Sequence, residues 1–198
     1  MADQNEQFNQ LVKDLSLSSE QFPLEDVVPV FVPDSLAEGD VWLGPIVKMQ
    51  ASKLAITWAC LMPYQTMQYI SYNTAQYWES QNIDWRSQSM ENLVRMSEEM
   101  GTHSFRRDDE TYYGLVMMYE DGIGPSRLLL NGILEELFPE GYLLAIPERS
   151  IGVVLSRAAS PKEKETVESF VEKCFEEGTQ PFKRDFFDPD LLMEADPD

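Results

Sequence analysis

The feature that most constrains the fold of this chain is the run Leu54–Met62, in which Thr57 is the only polar residue. A strand with one face in water alternates apolar and polar side chains, and this run has no polar face. A continuous apolar run of this length predicts a central strand that is covered on both faces. The rest of the chain must therefore supply apolar structure on both sides of it.

Several other stretches have the composition of strands. They are rich in aromatic and β-branched residues, they are separated by turn signals, and they lie at 41–48, 67–72, 112–119, 142–146 and 151–155. The short connection 147–150 between the last two predicts a hairpin. Residues 27–32 are also β-rich, but prolines within and around them predict an edge or irregular strand. The charged segment 102–110 is predicted to be a loop.

Helices are predicted where apolar residues recur every three to four positions, at 4–16, 73–80, 85–100, 126–138 and 161–178. In the helix at 85–100, we expect Leu93 and Val94 to face the core, and Gly101 stands where a left-handed C-cap forms. The last helix has a strong start, since Ser160 is a good N-cap and Glu163 stands at the third helical position, where it closes a capping box.

These elements predict an α+β fold, with an antiparallel or mixed sheet and four or five helices packed largely on one face. At 198 residues, one domain is the natural expectation. We place it at 41–188, after an acidic N-terminal extension with a short helix at 1–40. An acidic flexible tail at 189–198 follows, and we expect its removal to leave stability nearly intact.

The net charge is -20, from 35 acidic and 15 basic residues. The excess is concentrated at the ends, since residues 1–40 hold nine acids and one base, and 185–198 hold six acids and no base. Nucleic acids and anionic membranes are recognised by clustered lysine and arginine, so both are poor partners for this chain. The charge favours a solvated surface or a basic or polar protein partner.

The cytoplasm is the expected location of the chain. Cys60 and Cys174 are too few for a disulfide framework or a metal quartet. The N-terminus lacks the basic start and apolar stretch of a signal peptide, and no window approaches 18 consecutive apolar residues.

Candidate binding residues stand in two turns. Asp121, Gly122 and Gly124 lie between a predicted strand and a predicted helix, where backbone N–H groups can meet an anion, although the complete phosphate-loop motifs are missing. Arg149 lies in the turn between two apolar strands and carries a planar fork that suits a carboxylate or phosphate group. The ordinary alternative is that it pairs with Glu148 or another nearby acid.

His103 is the only histidine, and it is the remaining candidate. A general base needs a partner that orients it, and the sequence identifies none, so a surface histidine is the ordinary interpretation. With one histidine and no nucleophile-elbow motif, no residue is assigned a catalytic role. No metal ligands and no cofactor are predicted either.

A set of matching segments spans about two-thirds of the chain, from residue 52 to 188. The segments are Leu54–Met62, 68–72, 89–93, 119–122, 126–130, 143–155 and 180–187. In their order and polar marks they resemble the YtpQ-like family, a bacterial family of unknown function. Where such families place aspartate beside arginine after the proline, this chain has Glu148 before Arg149 and Ser150 after it. The resemblance supports the fold and implies no activity.

The function that these observations favour is a non-catalytic interaction or regulatory module, whose acidic surface or groove meets another protein. One alternative is an enzyme or small-ligand binder built around the turn 121–126 and Arg149, and another is an acidic mimic of nucleic acid that binds a basic protein. Geometry separates them. Convergence of Arg149, Asp121 and His103 in a cleft favours an enzyme, whereas an exposed apolar patch rimmed by polar groups favours an interaction module.

Overall fold

Nine strands in two antiparallel sheets form the centre of the computed structural model, which describes residues 22–38, 42–51, 53–62, 66–98 and 103–193. The first sheet contains β1 (Val27–Pro33), β2 (Ile46–Lys48), β3 (Leu54–Met62) and β4 (Thr66–Tyr69). β3 pairs with β1 along one side and with β2 and β4 along the other. The apolar run is therefore the central strand, as its composition predicts.

The second sheet has the strand order β5-β6-β8-β7-β9. Its strands are β5 (His103–Arg106), β6 (Tyr112–Met118), β7 (Tyr142–Glu148), β8 (Ile151–Ser156) and β9 (Pro181–Phe187). The predicted β7–β8 hairpin is confirmed. The prediction of a loop at 102–110 is wrong over its first part, because β5 pairs with β6 there. The polar residues of β5 are tolerated because it is an edge strand whose ends, His103 and Arg106, are exposed.

The described residues contain four α-helices: α1 (Tyr72–Ser80), α2 (Trp85–Arg95), α3 (Asn131–Leu137) and α4 (Pro161–Glu177). The capping box at the start of α4 is confirmed, with Ser160 and Glu163 each accepting a backbone N–H of the other. α2 ends at Arg95, five residues before the predicted end. The predicted helix at 4–16 and the proposed cap at Gly101 lie outside the described residues.

The two sheets share one core, and helices cover a face of each sheet that points away from it. Alternate side chains of β1 and β3 pack against alternate side chains of the second sheet. The buried strand residues of this shared core are Val27, Phe31, Leu54, Ile56, Trp58, Cys60, Leu115, Met117, Leu144, Ile146 and Val154. On the other face of the first sheet, Val28 and Val30 pack with Leu93 of α2. On the other face of the second sheet, Val153 packs with Val167 of α4.

Antiparallel α+β structure is thus present, but it is built differently from the prediction. The helices do not lie largely on one face of one sheet, since α2 packs against β1 of the first sheet and α4 against β7, β8 and β9 of the second. The physical reason is that the central strands of both sheets are apolar on both faces, so each sheet needs a second covering layer.

The segment 1–40 contributes an integral strand to this body. β1 pairs with β3 along its whole length, and Asn92 of α2 donates a hydrogen bond to the carbonyl of Val27 at 2.9 Å. β1 stands at the sheet edge, which accommodates Pro29 without an N–H, as the prolines predict. Residues 22–38 therefore belong to the folded body rather than to an extension.

The described part of the C-terminal segment also docks. A 3₁₀ helix over Pro189–Leu192 places Leu191 and Leu192 against the shared core. The backbone N–H of Ala51 donates to the carbonyl of Leu191 at 2.7 Å, and that of Gln50 donates to Met193 at 3.0 Å. The expectation of a flexible tail is therefore wrong for 189–193, because its apolar residues find a partner surface that the local sequence does not reveal.

No helix within the described ranges is long and apolar enough to cross a membrane.

Candidate functional site

The turn that contains Asp121, Gly122 and Gly124 leads from β6 into a 3₁₀ helix over Pro125–Leu129. The carboxylate of Asp121 accepts the backbone N–H of Ile123 at 3.0 Å, and Gly122 has φ +74°, where glycine is favoured. A Cβ added at Gly124 would lie 2.1 Å from the carbonyl oxygen of Met117. Both glycines are therefore required by the path of the chain.

The partner of Asp121 is Arg127, a residue that the sequence analysis did not select. Nη1 and Nη2 of Arg127 donate to the two carboxylate oxygens at 3.2 and 2.6 Å, and Nη2 also donates to the carbonyl of Met96 at 3.0 Å. The guanidinium lies over the ring of Tyr119, 4.0 Å from its centre, and the residue is 1% exposed. The sequence feature that corresponds to this pair is one arginine directly before three leucines and six positions after Asp121.

Arg149 is positioned by neutral groups on β4 of the first sheet and on Gln180, the residue before β9. Nη1 donates to Oε1 of Gln180 at 3.1 Å, Nη2 donates to the hydroxyl of Tyr69 on β4, and the backbone N–H donates to the carbonyl of Gln180 at 3.1 Å. Glu148 does not pair with Arg149, because its carboxylate accepts the backbone N–H of Ser150 at 2.7 Å. The hairpin thus orients the acid and the arginine toward different partners.

Within the described residues, the guanidinium of Arg149 makes no ion pair, although acids outnumber bases by 35 to 15 in the chain. A guanidinium has five N–H donors, and the contacts with Tyr69 and Gln180 use two of them. Several other arginines do pair with a carboxylate, namely Arg106, Arg107, Arg127, Arg157 and Arg184. Arg149 is therefore held in a fixed orientation by neutral groups and has no acidic partner in the part of the chain that the structure describes.

Arg149 borders two cavities. The smaller, of about 20 Å³, also touches Gly122 and Ser126 and has room for a single water molecule. The larger is an open cleft of about 360 Å³, which we call the Arg149 cleft. It is lined by Val32, Pro33, Leu36, Trp42, Tyr69, Arg149, Gln180, Pro181 and Phe182.

The Arg149 cleft has apolar walls and one polar group of side chains. Trp42 stands edge-to-face against Tyr69, with ring centres 4.9 Å apart, and Leu36 is 38% exposed. The polar side chains among the lining residues, Arg149, Tyr69 and Gln180, are joined by the hydrogen bonds described above. The cleft thus combines apolar walls with a hydrogen-bonded group of three polar side chains.

His103 does not join this site. It is exposed on the edge strand β5, opposite Val116 of β6. β6 and β8 separate β5 from β7 in the sheet, and Arg149 follows β7. Asp121 is engaged with Arg127, so Arg149, Asp121 and His103 do not converge in one cleft.

A second cleft, of about 460 Å³, is lined by three carboxylates, those of Asp109, Glu136 and Glu140, and by one cation. That cation, Arg107, is engaged by Glu163, with Nε and Oε1 2.7 Å apart. The pKa of Asp109 is lowered by hydrogen bonds from the hydroxyl and the backbone N–H of Thr111. We call this the acidic cleft.

Cys60 is buried, and Cys174 is partly buried. Burial raises the pKa of the Cys60 thiol to about 12, with Asp26 and Glu25 adding to the shift, so the thiol stays protonated at neutral pH. No group of three or more histidine, cysteine, aspartate or glutamate residues in the described ranges is arranged to hold a metal ion.

Comparison with protein-family models, with curated proteins and with solved structures finds no match for this chain. The resemblance to the YtpQ-like family therefore stays a prediction.

Proposed function

We propose that this chain is a non-catalytic protein-interaction module and that a partner protein docks in the Arg149 cleft. The observation that carries the proposal is that Arg149, at the border of an exposed apolar cleft, has no acidic partner among the described residues. Arginine, tryptophan and tyrosine are the residues that contribute most to binding at protein interfaces, and Arg149, Trp42 and Tyr69 line this cleft together.

The cleft is also pre-organised for binding. The hydrogen bonds from Arg149 to Tyr69 and Gln180 hold its long side chain before any partner arrives, and the ring of Trp42 packs on Tyr69. Side chains that are already ordered lose less conformational entropy on association, which increases the affinity that a given contact area supplies.

The acidic cleft supports a basic partner. It brings together three carboxylates, those of Asp109, Glu136 and Glu140, in a chain whose net charge is -20. A negative surface attracts a positively charged protein and raises the rate of association, and added salt weakens that attraction. We expect the partner to carry lysine or arginine that meets the acidic cleft, which lies at the Ser156 end of β8, whereas the Arg149 cleft lies at the end where β8 begins.

Site-specific photo-crosslinking tests the proposal. A photoreactive residue in place of Leu36, which is 38% exposed in the cleft, should trap a protein in native extract, and the Arg149→Met change should reduce that adduct. Leu43 provides a matched control, since it is 74% exposed and is not among the residues that line the cleft. Identical adducts from both positions, insensitive to Arg149→Met, would contradict docking in the cleft.

A further inference from the structure

We propose that the segment held in the Arg149 cleft is the free carboxyl terminus of a partner chain, ending in an apolar residue. The inference rests on the proposed function and names the chemistry of the ligand. Two features support this ligand: the free hydrogen-bond donors of the polar side chains in the cleft, and the apolar walls that surround them.

The polar end of the cleft is rich in donors. The hydroxyl oxygen of Tyr69 accepts from Arg149, so its own O–H remains to be donated. Oε1 of Gln180 also accepts from Arg149, which leaves the amide N–H groups of Gln180 for another acceptor. Arg149 itself keeps three N–H groups beyond these two contacts. A group with several acceptor atoms and a negative charge complements this arrangement, and a carboxylate has both.

The apolar walls specify what must lie next to that carboxylate. Leu36, Trp42 and Phe182 line the same cleft as Arg149, which has the volume of a small ligand pocket, about 360 Å³. A C-terminal residue carries its carboxylate and its side chain on one Cα atom. A single residue can therefore place the charge on Arg149 and an apolar side chain against these walls.

An internal aspartate or glutamate fits the cleft less well. Its chain continues in both directions, so peptide N–H and C=O groups on both sides would lie against apolar walls without hydrogen-bond partners. A terminal residue has a peptide group on one side only, which reduces this cost. The cleft therefore favours a chain terminus over an internal acid.

Binding to synthetic peptides tests the inference. The probe is an acetylated hexapeptide that contains two lysines and ends in phenylalanine and leucine with a free carboxylate. The first control peptide has the same sequence with a C-terminal amide. The second control peptide is also amidated and has an internal glutamate beside leucine. Titration calorimetry measures affinity, and the NMR signal of the Trp42 indole N–H reports on the cleft. We expect the free acid to bind at least about tenfold more tightly than either amidated peptide, which corresponds to one charge-assisted hydrogen-bonded pair.

Two arginine variants distinguish binding in the cleft from a general effect of positive charge on peptide affinity. Arg149→Met should reduce the affinity of the free acid to that of the amide, with an unchanged denaturation midpoint. Arg184→Met also removes one positive charge, but on β9, where Arg184 pairs with Glu172 and does not line the cleft. This control variant should leave the affinity for the free acid unchanged.

The outcomes distinguish the two proposals. Equal affinity of acid and amide, with Trp42 shifted, would overturn the terminal carboxylate and leave docking in the cleft intact. Equal affinity of the free acid and the internal-glutamate peptide would overturn the terminus as the source of the carboxylate. If no peptide shifts Trp42 and Leu36 yields no specific adduct, both proposals fail. Self-association that Arg149→Met abolishes would place a second copy of this chain in the cleft and overturn the separate partner.

Discussion

Arg127 donates to both carboxylate oxygens of Asp121, from Nη1 at 3.2 Å and from Nη2 at 2.6 Å, while its own side chain is almost entirely buried. Arg149 lies in the turn of the β7–β8 hairpin, which closely approaches the turn of Asp121, since a Cβ added at Gly124 would lie 2.5 Å from the carbonyl oxygen of Ser150. One arginine is therefore neutralised inside the protein, and the other presents its charge at a cleft. The pair of Asp121 and Arg127 is structural, and Arg149, for which the described ranges offer no acidic partner, is the candidate for binding.

Asp121→Asn should lower the free energy of unfolding by about 3–5 kcal/mol, because it leaves the buried cation of Arg127 without an anion. Asp188→Asn is the matched control. Asp188 pairs with Arg157, but both side chains are about half exposed, so its loss should cost about 0–1 kcal/mol. Denaturant midpoints measure both effects, and equal losses would refute the structural role of the buried pair.

Adjacent positions on α2 should respond very differently to alanine. Leu93 is fully buried, so Leu93→Ala should cost about 2–5 kcal/mol through lost burial and the cavity left behind. Val94 is 47% exposed, so Val94→Ala should change stability by no more than about 0.5 kcal/mol. Urea unfolding of the two variants checks which face of the helix is buried. A larger loss of stability at Val94 than at Leu93 would show that Val94 faces the core.

The docked C-terminal 3₁₀ helix should contribute to stability. Replacing both Leu191 and Leu192 with alanine removes partly buried side chains that pack on the shared core, so a loss of about 1–3 kcal/mol is expected. Met193 is 61% exposed, and Met193→Ala should have an effect within about 0.5 kcal/mol. Thermal melting compares the variants, and an unaffected double variant would mean that this helix adds nothing to the fold.

Glu163 should contribute stability that is lost in acid. Hydrogen bonds from Arg107, together with the backbone N–H of Ser160, lower the pKa of its carboxyl from an ordinary value of 4.5 to about 2. Because the folded pKa is the lower one, the contribution is complete above about pH 4.5 and disappears as the pH falls through about 2. The destabilisation by Glu163→Gln should therefore be largest above pH 5 and shrink toward pH 2.

A series of denaturation midpoints between pH 2 and pH 7 measures this difference. Glu165→Gln on the same helix is the control, since Glu165 is exposed and appears in no ion pair of the described residues. A pH-independent cost of Glu163→Gln would show that the charge of Glu163 does not matter and that its contribution is packing alone.

The elements that the sequence predicted well are those whose determinants lie close together in the chain. β3 begins and ends where its apolar run does, the β7–β8 hairpin follows from two apolar runs and a short connection, and the start of α4 follows from Ser160 and Glu163. In each case the determinant is a local pattern (an apolar run, a short connection or a pair of capping residues), so local propensity and spacing contain the information.

The candidate site depended on contacts between distant parts of the chain. Arg149 was selected for its side chain, but its partners Tyr69 and Gln180 stand 80 and 31 positions away. Val94 and Leu93 are equally apolar, and only the packing of α2 on β1 decides which one is buried. Local sequence thus determined the central strand β3, the β7–β8 hairpin and the cap of α4, but not the edge strands β5 and β9. Tertiary packing decided the pairing into two sheets, the burial of Arg127 and the position of Arg149 at the cleft. The energies of these features arise from residues that meet only when the chain has folded.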